Sequence, residues 1–215
     1  MSCCPSGQCS ATGQCFSKFS RRYARRFRKK GLDGAQQNLL DGIRQHLTGQ
    51  DHVLEIGCGV GGLHLSLLNE GAASATGVDE SAGMIEQARR FADERGLTDR
   101  STYLLGDFVE LSAQLPKAEV TVLDKVVCCY EHLDLLIDQS TQKTTRLYGL
   151  SHPRESLFVE MSFRIQIFFL RLFRASFRPF WHDWGRMREA ILARGFRPVY
   201  ERPTFLWNVV VFRRV

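Results

Sequence analysis

No run of roughly eighteen or more uncharged apolar residues occurs anywhere in the 215-residue chain, so a membrane-spanning helix is not expected. The first residues carry cysteine and charge where a secretory signal would place its apolar core, and a cytoplasmic protein is the expectation. A disulfide framework is missing too. Seven cysteines are an odd number, several lie inside apolar segments, and Cys3, Cys4, Cys9 and Cys15 show no paired C-x-x-C spacing. Reduced thiols are expected, with no metal site, and residues 1–15 read as a flexible cysteine-rich tail. Proline is scarce, six residues in all, and Pro116, Pro153 and Pro203 fall between periodic segments. No internal repeat is evident, and the length suits one α/β core rather than two domains.

Charge is abundant but unevenly spread. Residues 1–34 hold eight Lys/Arg against one Asp, residues 35–163 hold ten against nineteen acids, and residues 164–215 hold eleven against three. Basic ends around an acidic middle suggest a positive rim that attracts an anionic acceptor, a membrane surface or nucleic acid; a merely solvated surface is the plainer alternative.

The stretch that organises the rest is Val53-Leu54-Glu55-Ile56-Gly57-Cys58-Gly59-Val60-Gly61-Gly62-Leu63. An apolar run feeding a glycine cluster is how a buried strand turns into a nucleotide-binding loop, because glycine lets backbone approach a ligand with no Cβ between them. Gly57, Gly59 and Gly62 satisfy the dinucleotide pattern G-x-G-x-x-G, but Glu55, two positions before the first glycine, departs from the apolar strand that pattern usually follows.

Around this loop the chain alternates short strands and helices. Phe16, Phe19, Tyr23 and Phe27 recur at helical spacing among arginines, predicting a lid helix, and Leu39, Leu40, Ile43 and Leu47 predict a second; together they fill residues 16–50. Strands are expected at 53–56, 75–79, 101–105, 119–123 and 157–162, with helices after Gly61, at 81–95 capped by Ser81, around 109–115 and at 133–147. A turn is expected at 149–154. Residues 164–180 read as a basic-aromatic amphipathic insertion, 183–193 as a helix, and 197–201 with 205–212 as a closing hairpin. Such alternation makes a parallel sheet with helices on both faces.

Four successive strands finish on or near an acid: Glu55, Asp79, Asp107 and Asp124. With the glycines, this constellation resembles the E/D-x-G-x-G-x-G motif and strand-end acids of class I S-adenosylmethionine-dependent methyltransferases. The resemblance covers residues 51–215 and implies a Rossmann-like fold: a seven-stranded, mostly parallel sheet ending in an antiparallel strand. It implies S-adenosyl-L-methionine as cofactor, held by Glu55, Gly57, Cys58, Gly59, Gly61, Asp79, Glu80, Met84, Asp107, Phe108 and Asp124. Asp79 suits the two ribose hydroxyls, since one carboxylate accepts both. Asp107 suits the adenine amino group, with Val78, Met84 and Phe108 sandwiching the ring, and Glu55 the ligand's ammonium.

Asp124-Lys125-Val126-Val127-Cys128-Cys129-Tyr130 and Phe177-Arg178-Pro179-Phe180-Trp181-His182 look like the magnesium-protoporphyrin O-methyltransferase branch and its uncharacterised relatives. The cysteine-rich start departs from that branch, as does Asp183 where it has proline. The implied reaction is methyl transfer to a small acceptor, an apolar or aromatic carboxylate or hydroxyl, with Tyr130, His132 and His182 as candidate catalytic residues. Thiol or RNA methylation, or a binding role through the cysteine tail, are the alternatives. DNA is not an expected partner and RNA is disfavoured, because the fourth strand runs into Asp124-Lys125-Val126-Val127 rather than the N/D-P-P-Y/F loop of base-amine methylating enzymes.

Overall fold

In a computed structural model that describes residues 11–172 and 179–215, the glycine-rich stretch is the turn between a buried strand and a helix. In chain order the elements are α1 (Ala11–Lys30), α2 (Gly34–Arg44), β1 (His52–Ile56), α3 (Gly62–Asn69), β2 (Ser74–Asp79), α4 (Ala82–Glu94) and β3 (Ser101–Leu105). There follow α5 (Phe108–Leu111), β4 (Ala118–Asp124), α6 (Leu133–Lys143), β5 (Thr144–Pro153), α7 (Leu157–Leu172), α8 (Trp184–Ala193), β6 (Phe196–Glu201) and β7 (Trp207–Arg214). Asp33, Ser81, Asp107 and Asp183 each accept backbone N–H bonds at a helix start, which places four of these boundaries by side-chain chemistry.

The strands form one sheet in the order β3-β2-β1-β4-β5-β7-β6. Only β7 runs against its neighbours, pairing antiparallel with both β5 and β6. This is the fold expected from the sequence. Side-chain alternation splits the core in two: Val53, Val209 and Val211 face the cluster under α2 and α3, while Leu54, Val210 and Phe212 face the cluster under α6 and α8. The order reverses between β1 and β4, where open α/β sheets leave a crevice at the carboxyl edge.

The structure corrects the expectations between residues 144 and 172. Thr144–Pro153, expected as the end of a helix and a turn, is strand β5, and residues 157–162, expected as a strand, open helix α7. Gly149 sits inside β5 because α2 presses on it: a Cβ there would lie 3.2 Å from Ile43 Cδ1 and 3.3 Å from Leu39 Cδ2. Ser156 supplies the cap that starts α7, its Oγ accepting from Val159 N.

Helix α1 begins at Ala11, earlier than the apolar periodicity predicts, and lies along α4. Small residues allow this approach. A Cβ on Gly83 would meet Ser17 O at 3.0 Å and Ser20 Oγ at 2.9 Å, and one on Gly13 would collide with Glu80 O. Ser17 Oγ reaches Ser81 Oγ at 2.8 Å, and Phe27 meets Phe91 edge-on at 5.1 Å. The readings made for Cys3, Cys4 and Cys9, and for residues 173–178 of the basic-aromatic insertion with Phe177 and Arg178, lie outside the described residues. No helix among the described residues is long and apolar enough to cross a membrane.

Candidate cofactor and acceptor site

The loop after β1 is held open by its own backbone. Gly57, Gly59 and Gly61 all adopt positive φ, at 66°, 53° and 81°. A Cβ on Gly57 would collide with Val126, whereas one on Gly59 would meet no atom within 4 Å among the described residues. Gly59 N donates to Asp79 Oδ2 at 2.8 Å, while Asp79 Oδ1 accepts Ser81 N at 2.8 Å. The empty side of Gly59 and the Asp79 carboxylate therefore face one place. Burial pushes the Asp79 carboxyl up to about 6, against the lowering effect of the Ser81 and Gly59 N–H groups. Each oxygen retains a lone pair for a further donor.

Cys58 is spent on the loop itself. Its N–H donates to Val78 O, its carbonyl accepts Gly61 N, and its buried thiol, raised by desolvation, lies against Gly77. Gly61 is the residue before α3, and its carbonyl accepts Leu65 N. Glu80 is half-buried beneath the start of α1.

All four strand-end acids accept hydrogen bonds, and two of them, Glu55 and Asp124, sit against a histidine or a lysine. Glu55 is 2 % exposed, and its Oε2 takes both the backbone N–H of His64 at 3.1 Å and His64 Nδ1 at 2.5 Å. His64 Nε2 continues to Tyr103 OH at 3.0 Å. Glu55, expected to act on the ligand's ammonium directly or through water, is thus tied to the start of α3 through His64. Asp124 likewise accepts from Ser151 Oγ at 2.6 Å and from Lys125 Nζ at 2.9 Å, which sets it within a network at the ends of β4 and β5. The Lys125 ammonium also reaches Asp33 at 2.8 Å, joining the start of α2 to the end of β4.

Asp107 at the end of β3 caps α5 through Val109 N at 2.7 Å and takes the hydroxyl of Tyr130, 2.8 Å from each oxygen. Val78, Met84 and Phe108, expected around the purine, are all buried. Their apolar character signalled burial, and the core has claimed it.

The three candidate catalytic residues separate. Tyr130 donates its hydroxyl to Asp107, and burial with that carboxylate raises its phenol far above the usual range. His182 donates from Nε2 to Tyr130 O at 2.9 Å and stacks on Phe180, with burial lowering its pKa. His132 is exposed at the start of α6, and lines with His182 a hollow of about 430 Å³ that also includes Asp134, Asp183 and Arg186. Cys128 is buried, and the neighbouring Cys129 thiol together with burial raises it well above the usual thiol range, which makes it a packing residue.

Sequence reasoning did not identify His64 or Lys125. The signal for His64 was a lone polar residue between Leu63 and Leu65 on a buried helix, which demands a partner.

Residues 53–148 match the family described as a methyltransferase domain. That stretch, which holds the glycine loop and the strands β1 to β4, is thus similar to a methyltransferase domain. A curated relative, sterol 24-C-methyltransferase erg6 of Aspergillus fumigatus, is 34% identical over 59 residues, 27% of this chain and 16% of that protein. The match thus spans about a sixth of the relative's length. Among solved structures, magnesium protoporphyrin IX methyltransferase of Synechocystis PCC 6803 with bound S-adenosylhomocysteine superposes with TM-score 0.68 at 20% identity, covering 95% of this chain and 100% of that one. The [4+2]-cyclase SpnF superposes with TM-score 0.71 at 14% identity, covering 94% of each, so the fold is shared with a protein named for a different reaction.

Proposed function

We propose that the protein transfers the methyl group of S-adenosyl-L-methionine to a small-molecule acceptor, an apolar or aromatic carboxylate or hydroxyl, by O-methylation. The observation that carries the cofactor reading is the unfilled side of Gly59 next to Asp79 Oδ2. Asp79 would accept the ribose hydroxyls, Asp107 the adenine amino group, and the backbone of 57–61 would lie against the methionine part. When bound, the cofactor supplies an activated methyl on a sulfonium. The protein's task is then to align the acceptor and strip water from it.

On the acceptor side, Phe163 meets Trp181 at 5.6 Å and Phe180 stacks on His182, giving apolar surface beside the Tyr130 segment. A carboxylate acceptor arrives deprotonated and needs no base. For a hydroxyl, His182 is the better candidate, since burial keeps the ring neutral and Nδ1 is not used in the bond to Tyr130. His132 stands beside it in the same hollow.

Calorimetry with S-adenosylhomocysteine, followed by a labelled-methyl screen over carboxylated aromatics, porphyrins, thiols and RNA, tests this. Binding of S-adenosylhomocysteine and labelling of an apolar acid or phenol are expected. Binding of NAD in its place, or labelling of RNA alone, would reject the reading.

A further inference from the structure

Helix α7 carries two apolar faces, and among the described residues only one of them is covered. Val159 is 2 % exposed and Phe163 packs on Trp181, which sets the inward face. At 100° per residue, Leu157, Phe158, Met161, Ile165, Phe168 and Leu172 fall within a sector of roughly 100° elsewhere on the helix. All six are between 50 and 87 % exposed. Sixteen residues extend about 24 Å at 1.5 Å each, so the stripe runs the length of the element. It continues onto the loop before β7, where Phe205, 73 % exposed, meets Phe158 at 5.8 Å and Leu206 follows.

A contiguous patch of this kind marks a contact surface rather than ordinary surface apolarity. The six side chains offer no hydrogen-bonding group beyond a thioether, whereas a specific protein interface of similar extent carries several hydrogen bonds. Exposed Arg164 and Arg202 belong to the same two elements, and residues 164–215 hold eleven basic against three acidic residues. Phenylalanine and leucine on one face with arginine beside them is the pattern of a helix lying in a bilayer interface. We infer that α7 and the 202–206 loop dock the protein on an anionic lipid surface, with the stripe among the acyl chains and the arginines at the headgroups. This goes beyond the methyl-transfer reading and does not depend on it.

Sedimentation of the full chain with phosphatidylcholine vesicles, with and without phosphatidylglycerol, tests the inference. Binding is expected on the anionic vesicles and weaker on the neutral ones. Phe158→Ser with Phe168→Ser should lower the lipid affinity by roughly tenfold or more, since each loses a buried aromatic. Arg164→Glu should weaken binding to the anionic vesicles only. S-adenosylhomocysteine affinity of each variant, measured in parallel, should stay at the wild-type value and shows that the fold is intact. Wild-type protein that ignores both vesicles, or lipid binding unaltered in the double variant, overturns the inference. So does a wild-type dimer that becomes monomeric in the double variant without lipid binding, which would assign the stripe to a second copy.

Discussion

Tyr130 donates its hydroxyl to Asp107, 2.8 Å from both carboxylate oxygens, so the residue after the Cys128-Cys129 pair orients the acid at the end of β3. The phenol is raised far above its ordinary range by burial and by that carboxylate, and it stays protonated at any working pH. Tyr130→Phe should therefore loosen Asp107 and weaken S-adenosylhomocysteine by about five- to tenfold, the worth of one ordinary hydrogen bond. The pH profile of transfer should keep its shape. A lost limb in that profile would make Tyr130 a base after all, and tighter binding would mean that the phenol competes with the adenine.

Asp79 gives the cofactor site a pH dependence of defined sign. Its folded value of about 6 lies above the ordinary 3.8, so the folded protein holds this proton more tightly than the unfolded chain. The group's contribution to stability is therefore present below about pH 4 and lost as pH rises through 6, a cost on the order of 3 kcal/mol at neutral pH. Ribose hydroxyls prefer the ionised form, so S-adenosylhomocysteine affinity should run the other way. Calorimetry should find a plateau above pH 7 and a fall of roughly tenfold by pH 5. Asp79→Ala should bind about ten- to a hundredfold more weakly and flatten this dependence; an unchanged slope in the variant would assign the titration elsewhere.

The path from sequence to site was readable where local chemistry decides and unreadable where pairing does. Glycine loop, strand ends and the Ser81 cap each follow from residue type and spacing, and the structure has them in those places. Strand β5 did not announce itself. It is buried on both faces and shows no alternation, while Gly149 and Pro153 imitate a turn; the glycine is there for Leu39 and Ile43 instead. The apolar run at 157–162 was equally compatible with a strand, and its capping serine was the missed clue. Four acids at four strand ends looked equivalent because their partners come from other elements: His64 from α3 for Glu55, and Lys125 with Ser151 for Asp124.

His64 is the buried partner on which the glycine loop's support depends. Its ring lies between Glu55 and Tyr103 with its side chain fully covered. His64→Ala strands the Glu55 carboxylate in the core and should cost about 3–5 kcal/mol in urea unfolding. Tyr103→Phe removes the outer hydrogen bond together with the one its hydroxyl donates to Ala88 O, and should cost about 1 kcal/mol. The double variant should fall short of the sum, because the outer bond is already gone once the ring is removed. A loss below about 1 kcal/mol in His64→Ala would show that the pair holds nothing.

Lys125 ties the N-terminal helices to the switch point, and its removal should be felt at both ends. Its ammonium bridges Asp33, the capping residue of α2, and Asp124 at the end of β4, with its own backbone at φ 59°. Burial opposes the charge on Asp33, but the attraction and hydrogen bonds of Lys125 outweigh it and hold the Asp33 carboxyl below its ordinary value. That part of the stability is present above the ordinary carboxylate range and disappears as pH falls through the lowered value. Lys125→Met leaves two carboxylates without their shared cation, one of them 7 % exposed, and should cost about 2–3 kcal/mol, less than a fully dry pair would. The loss should shrink in acid, where Asp33 no longer carries charge. Limited proteolysis should also cut sooner between α1 and α2, at Gly31 and Leu32, since the Asp33 anchor is gone. Equal losses at neutral and acid pH would mean that the contact of the Lys125 ammonium with the Trp207 ring, 5.6 Å from its centre, and not the pair with Asp33, does the holding.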